Sequence, residues 1–338
     1  MVSKEIIFDR IRRRISLMVA AFIPNSRALK LKVRCLLKLY KLFDSKKSTE
    51  KRLILYYANG SPECPGLADR LKAMVTGYTI ARKNSYSYYL YHHLGFKIED
   101  YLVPNEINWI IEKKDICLGL NHVRFLWYIS RIVQLDPRYS EYHLHFAGDS
   151  TETLTEDEYK DYNFSKIFHQ LFKPSDYLNG LIKDAKSKLQ FTENEYIAVH
   201  CRFLDFFETV ESKRDTAFTK HASAEEQAKM ILSIRLTLQK LHNESGNLPI
   251  LLLSDSNVFL NTEHAPYVRT IPGEVGHIYS KEGNKAVTDR AFIDMFLISE
   301  AKHVYSIIGP GTLASGYSYM GARIGQKPFT RVNRIIPM

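Results

Sequence analysis

From residue 191 to 338, short apolar runs of strand type alternate with longer amphipathic runs, and this alternation leaves the chain few folds to choose from. Residues 196–201, 250–253, 267–271 and 304–308 read as strands, three of them of the apolar type found in buried sheets. Between them, 224–242 and 287–301 carry apolar residues at helical spacing, and a short helix is expected after Ser254, Asp255 and Ser256. The last of these strands runs into the turn Gly309-Pro310-Gly311, and 312–320 reads as helix. Strand–helix alternation of this length calls for a parallel sheet covered by helices on both faces. Sheets of that kind hold ligands at the carboxyl ends of their strands.

The first half is less regular. Residues 52–58 read as a strand, followed by the turn formers Asn59, Gly60, Ser61 and Pro62. From Gly66 a helical period sets in, with Leu67, Leu71, Met74, Val75 and Tyr78 on one face. Further strands are expected at 100–103, 116–120 and 143–146, and helices near 123–133 and over 176–189. Residues 149–162 are acidic and polar, as in a surface loop or an exposed helix. The 338 residues are enough for two cores.

The net charge of +10 is unevenly placed. Residues 1–52 hold 15 Lys or Arg against 4 Asp or Glu, and the remaining 286 residues are close to neutral. A nucleic-acid groove would run its basic residues through the folded body, so this placement argues against a nucleic-acid partner. Within the basic segment, Ile6, Ile7, Ile11, Ile15, Met18 and Val19 can share a helix face opposite Arg10, Arg13 and Arg14. After Pro24, Leu29, Val33, Leu36, Leu37 and Tyr40 form a second stripe flanked by Lys30, Arg34, Lys38 and Lys41. Such basic amphipathic helices suit an anionic membrane surface. The same pattern also describes ordinary helices with solvated basic residues, and both readings stay open. The early apolar run at 15–23 is too short to span a bilayer, which takes about 20 residues. The renewed basic run at 27–51 argues against a cleaved export signal. Cys35, Cys64, Cys117 and Cys201 show neither CxxC nor zinc spacing, which fits reduced thiols in a cytoplasmic protein.

Four segments carry candidate chemistry. In Val199-His200-Cys201-Arg202-Phe203-Leu204-Asp205, a buried strand ends in a cation, where a guanidinium can bind phosphate oxygens through two parallel hydrogen bonds. The alternative is an Arg–Asp salt bridge beside a buried His. Asp294 sits among Phe292, Ile293, Met295 and Phe296, where a carboxylate is costly unless paired. Guanine presents two adjacent N–H donors that one carboxylate can accept. The alternative is a helix-surface Asp facing water. Ser306-Ile307-Ile308-Gly309-Pro310-Gly311-Thr312 takes a strand through a glycine turn to a helix start, where backbone amides and the Thr312 hydroxyl favour an anion. An ordinary capped turn would have the same sequence. In the first half, Asn59-Gly60 and Gly66-Leu67-Ala68-Asp69-Arg70 repeat the strand–turn–helix form. There Arg70 lies in a first helical turn, against the helix dipole.

Together these segments resemble the fucosyltransferase superfamily that includes nodulation-type and core α1,6-, plant α1,2- and protein O-fucosyltransferases. The 66–70 segment resembles the family's Gly-Leu-Gly-Asp-Arg loop, and His200-Cys201-Arg202 its His-x-Arg motif. Leu252-Leu253-Ser254-Asp255 is similar to its strand ending in Ser/Thr-Asp, and the run from Ile293 through Thr312 to its last motif. The resemblance covers residues 52–325.

The resemblance implies a GT-B fold, two facing Rossmann-like domains with a cleft between them. Here these would follow a basic helical segment at 1–48, with an acceptor-side α/β domain at 49–190 and a nucleotide-sugar domain at 191–338. It implies inverting, metal-independent transfer from GDP-fucose with no further cofactor. Arg202 would hold the β-phosphate, His200 and Asp294 the nucleoside, and Ser306, Gly309, Gly311 and Thr312 phosphate. Asn59, Gly60, Gly66, Asp69 and Arg70 would line the cleft from the other domain. Asp205 and Glu208, ahead of Glu211, are the candidate bases for the acceptor hydroxyl. The chain departs from the family in two places: Phe203 stands where many members have a second Arg, and the last loop is Gly-Pro-Gly-Thr rather than Ser-rich. The expected setting is glycan assembly on a lipid-linked acceptor at the inner membrane face. A transferase of another nucleotide sugar and a non-catalytic membrane-associated scaffold are the alternatives.

Overall fold

The computed structural model describes residues 36, 38–58, 65–208, 222–276, 278 and 284–336. The basic helices expected within 1–48 lie almost wholly outside the described residues, as do Asn59, Gly60, Cys64 and Glu211. In chain order the elements are β1 (Arg52–Tyr57), α1 (Leu67–Lys83), β2 (Ser87–His92), β3 (Leu102–Pro104), β4 (Val123–Leu126), β5 (Glu141–Leu144) and α2 (Glu156–Tyr162). They continue with α3 (Phe164–Leu171), β6 (Phe172–Pro174), α4 (Asp176–Leu189), β7 (Ile197–Cys201), α5 (Ala224–Glu244), β8 (Ile250–Ser254) and α6 (Asn257–Leu260). The last are β9 (Val268–Arg269), α7 (Lys285–Glu300), β10 (His303–Ile308), α8 (Gly316–Gly325) and β11 (Phe329–Asn333). The chain divides into two compact units, one of Met1–Pro65, Asp69–Lys97 and Asn108–Tyr162, the other of Gly66–Ala68, Ile98–Ile107 and Asn163–Met338.

The first unit holds a parallel sheet in the order β2-β1-β5-β4. All six residues of β1 are buried, as a strand covered on both faces requires. Two expectations fail here. Residues 123–133 begin as a strand, because Val123, Phe125 and Trp127 alternate with a period of two and β4 pairs in parallel with β5. Residues 116–120 form no strand. Their backbone makes only an isolated bridge, Leu118 O accepting from Lys41 N at 2.8 Å and Leu120 N donating to Lys41 O at 2.9 Å, while Cys117 N donates to the Glu141 side chain at 3.0 Å. Residues 150–153 form a 3₁₀ turn, and α2 buries no residue, as its acidic sequence suggests.

The second unit contains a five-stranded parallel sheet in the order β11-β10-β7-β8-β9. Its core gathers Val199, Cys201 and Phe203 from β7 and the turn after it, Leu252 from β8, and Ile234, Leu238 and Leu241 from α5. Burying each such aliphatic or aromatic side chain stabilises the fold by about 1.5–3 kcal/mol. Helix α5 starts where its sequence says it should. The Ser223 hydroxyl accepts from Glu226 N at 3.2 Å and the Glu226 carboxylate accepts from Ser223 N at 2.7 Å, a reciprocal cap. Residues 100–103, expected as a strand, contribute β3, which pairs antiparallel with β6 apart from the parallel sheet. The strand expected over 267–271 shrinks to β9, two residues at the sheet edge.

Helices α7 and α8 lie in very close contact. A Cβ on Gly325 would stand 1.8 Å from the Ser299 carbonyl oxygen, and one on Gly321 would stand 2.5 Å from Ile298 Cγ2. The chain order of the sheet then fixes a site. From β7 the chain steps to β8 and β9 on one side, and later fills β10 and β11 on the other. The switch point falls between β7 and β10, and sheets of this kind form their ligand crevice there, beyond the strand ends.

Candidate functional site

At that crevice β7 delivers His200, Cys201 and Arg202, and β10 delivers Ser306 to Ile308 and the turn that follows. The parallel register sets Ser306 beside His200 and Ile307 beside Cys201. Across the other flank, Cys201 pairs with Ser254, so Asp255 lies beside Arg202. The backbone locks these pieces together. Leu313 N donates to Arg202 O at 2.8 Å, and Gly309 O accepts from both Thr312 N at 3.0 Å and Thr312 Oγ1 at 3.1 Å. Gly311 has φ +80°, a left-handed backbone that strains any residue with a Cβ, and a Cβ there would also press on the tip of Met230 at 2.6 Å. A tight, preformed turn thus sits beside the base of the Arg202 side chain.

Arg202 keeps 34% of its side-chain surface open to solvent, enough to meet a ligand. Its Nε lies 3.9 Å from Asp255 Oδ2. The Asp255 carboxylate oxygens accept from Phe203 N at 2.8 Å and Leu204 N at 3.0 Å, and Leu204 takes the left-handed φ of +52°. Asp255 therefore fixes the direction in which the chain leaves β7. Burial pushes its carboxyl up to about 6, against the two amide bonds and the Arg202 charge, although 22% of the side chain still reaches solvent.

A second group lies deeper in the same unit. His200 is buried, its Nδ1 has no hydrogen-bond partner, and burial first, then Arg202, pushes its pKa down to about 3. A neutral ring with one nitrogen unspent suits an uncharged ligand atom. The ring centroid of Tyr317, in the first turn of α8, lies 6.0 Å from that of His200, and the Tyr317 hydroxyl donates to Ala291 O. Asp294 is buried on α7, as its apolar neighbours imply, and it does have a partner. Arg290, one helical turn earlier, donates through Nε to Asp294 Oδ1 at 2.7 Å and through Nη1 to Ile271 O at 2.6 Å and Gly273 O at 3.1 Å. Burial raises the Asp294 carboxyl above the usual range despite that charge, and Arg290 Nη2 is itself buried without a partner.

Some expected roles change with the geometry. Helix α8 begins at Gly316, not at 312, because Ser315 is its N-cap and accepts from Tyr317 N at 3.2 Å. The Thr312 hydroxyl is spent inside the 309–312 turn. Ser306 is fully buried under this segment, and its hydroxyl accepts from Ser315 N at 3.4 Å. Glu208 caps α6: Oε1 accepts from Asn257 N at 2.6 Å and Val258 N at 3.2 Å, and Oε2 accepts from Ser256 Oγ at 2.7 Å. Asp205 is buried. In the first unit, Asp69 pairs with Lys72 at 2.9 Å. Arg70 is fully buried, donating to Pro65 O at 2.8 Å and Leu94 O at 2.7 Å, with Nη1 2.9 Å from His92 Nε2. Gly66 precedes the first turn of α1. Among the described residues no group of three or more His, Cys, Asp or Glu side chains is placed to hold a metal ion.

Sequence reading missed Arg290, Tyr317 and Arg334. The four-residue spacing of Arg290 and Asp294 was a usable sign, being that of a helical ion pair. Arg334 lies beyond β11, where its N donates to Ile308 O at 3.1 Å and its Nε to Pro310 O at 3.1 Å. Nothing in the sequence connects it with the turn.

What fold and site define together is a parallel α/β unit with Arg202, Asp255 and the 309–312 turn gathered at its switch point. No family model matches the chain, and no curated protein matches it. Among solved structures the chain is similar to fucosyltransferases. An Arg-to-Lys mutant of Arabidopsis thaliana FUT1 in complex with GDP has TM-score 0.49 and 12% identity over 98% of this chain and 79% of its own. NodZ α-1,6-fucosyltransferase soaked with GDP-fucose has TM-score 0.49 and 13% identity, over 82% of this chain and 93% of its own. The fucosyltransferase NodZ from Bradyrhizobium gives 0.49 and 13%, over 81% and 92%. At such identity, the roles of single residues rest on the geometry described above.

Proposed function

We infer that this chain is a glycosyltransferase that moves L-fucose from GDP-fucose to a glycan acceptor with inversion. The observation that carries this reading is the joining of Arg202 to the 309–312 turn at the switch point, with His200, Tyr317 and Asp294 grouped deeper in the same unit. A diphosphate would lie against Arg202 and the turn, and the nucleoside against His200 and the α7–α8 pair. In transfer, the bond from the sugar C1 to the β-phosphate oxygen breaks, its electron pair stays on the phosphate, and the acceptor oxygen bonds to C1. Negative charge grows on the departing phosphate, where a fixed cation counts most. The acceptor proton goes to a base. Asp205 and Glu208 are the candidate bases; the two oxygens of Glu208 already accept three hydrogen bonds, and Asp205 is buried. No metal step is assigned.

The first unit, with Asp69 and Arg70, would serve the acceptor, together with Gly66 just ahead of α1. The basic segment 1–48 would hold the enzyme on an anionic membrane at the cytoplasmic face, fitting a role in polysaccharide, O-antigen or capsule assembly. Among the described residues no helix is long and apolar enough to cross a membrane. A second donor class stays in play for one reason. Asp294 already has Arg290 as a partner, so its claim on guanine is not exclusive.

A thermal-shift screen of GDP, UDP and their sugars decides between the donors. A ligand at a hundred times its Kd stabilises the fold by about 2.7 kcal/mol. GDP and GDP-fucose should shift the melting temperature and UDP should not. Arg202→Ala should abolish transfer while the unliganded protein melts as before. Full transfer in that variant would remove Arg202 from the site, and a parent chain with no transfer at all would favour the scaffold.

A further inference from the structure

We propose that Arg334, just beyond β11, is a positioning residue for the 309–312 turn and adds a second cation beside it. This rests on the diphosphate reading of that turn. The turn is held from two sides. On the β7 side Leu313 N binds Arg202 O at 2.8 Å. On the β11 side Arg334 Nε donates to Pro310 O at 3.1 Å, and Arg334 N donates to Ile308 O, the residue just before the turn, at 3.1 Å.

Arg334 is itself anchored. Its Nη1 donates to Ser233 Oγ on α5 at 3.0 Å. The Ser233 hydroxyl donates to Ile335 O, and Ile335 N donates to Thr237 Oγ1 at 2.9 Å. Thr237 Oγ1 in turn donates to Ser233 O at 2.8 Å. Residues 334 and 335 are thus strapped to one turn of α5, and the guanidinium spans from that helix to the Pro310 carbonyl. The planar fork reaches two acceptors at once, which a lysine cannot do. A glycine-bearing turn with φ of +141° at Gly309 and +80° at Gly311 has little stiffness of its own. Pro310 has no N–H and Thr312 N is spent on Gly309 O, so what the grip on the Pro310 carbonyl can fix for an anion is the Gly311 amide, and the charge of Arg334 lies on the opposite flank from Arg202.

The test is calorimetric titration of the full chain with GDP, together with steady-state transfer kinetics. Arg334→Gln should raise the GDP Kd and the donor KM about tenfold, equivalent to about 1.4 kcal/mol, with the acceptor KM unchanged. Arg334→Lys should recover part of the loss through its charge. Ser233→Ala, which removes only the anchor, should weaken GDP in the same direction by a smaller factor, and it keeps the test alive if Arg334→Gln does not fold. The proposal is overturned if both Arg334→Gln and Ser233→Ala bind GDP within twofold of the parent, or if donor and acceptor KM rise together. If the parent chain itself does not bind GDP, it is the diphosphate reading that fails.

Discussion

Arg290 and Asp294 offer the sharpest test of how the second unit is held together. Both side chains are almost fully buried, at 5% and 9% exposure, and Nε and Oδ1 are 2.7 Å apart. Arg290→Met leaves a carboxylate in an apolar helix face, and breaking one side of a buried pair costs about 3–5 kcal/mol. Asp294→Leu strands the guanidinium and should cost a similar amount. The double variant removes both charges and should recover about 2–3 kcal/mol of the summed loss, a coupling of the size seen for residues in direct contact. Urea unfolding of the four proteins measures it. The cost of Arg290→Met should also depend on pH. Burial already sets the Asp294 carboxyl above its usual value, and without Arg290 it rises further. A carboxyl whose pKa is higher folded than unfolded binds its proton more tightly in the native state. Its contribution is therefore present at low pH and is lost as pH rises through the folded-state value. Arg290→Met should thus be less damaging at pH 5 than at pH 8. Coupling below about 0.5 kcal/mol, or a cost that grows on acidification, would refute this account of the pair.

Three further outcomes are expected. Glu208→Gln should lower stability by about 1–2 kcal/mol in urea, as lost caps do, and leave the transfer rate within a few-fold; a hundredfold fall in kcat would identify Glu208 as the base. His200, with its pKa down at about 3, should stay neutral at pH 5.5 in a ¹⁵N-histidine spectrum, its signal identified by its absence in His200→Gln; a protonated ring there would contradict the burial argument. Deleting residues 1–45 should release the protein from anionic vesicles at low salt, measured by co-sedimentation; a full-length chain that never binds them would end the membrane assignment.

Much of the second unit was legible because local signals and tertiary roles agree there. The apolar run at 197–201, the reciprocal Ser223–Glu226 cap and the Ser254-Asp255-Ser256 stop each act over a few residues. The first unit was harder, since side chains do work usually left to ladders. Cys117 N is taken by the Glu141 side chain and residues 118–120 make only an isolated bridge to Lys41, so an apolar run there forms no strand. Period-two apolar spacing at 123–127 was hidden by further apolar residues that also fit a helix. In the site, Arg202, His200 and the glycine turn could be read because they follow strands in sequence. The Arg334 grip could not, because it depends on β11 lying beside β10. The start of α8 was misplaced by four residues because Thr312 and Ser315 are both good caps, and only the turn geometry chooses between them.

The missing side chains at Gly321 and Gly325 have a consequence for motion. With the Ser299 carbonyl filling the space a methyl would need, α7 and α8 are seated almost backbone to backbone and have no layer of side chains to slide on. Asp294 and Tyr317 then ride on one stiff bracket. Whatever else in this unit adjusts to a ligand, that bracket moves as one piece or not at all.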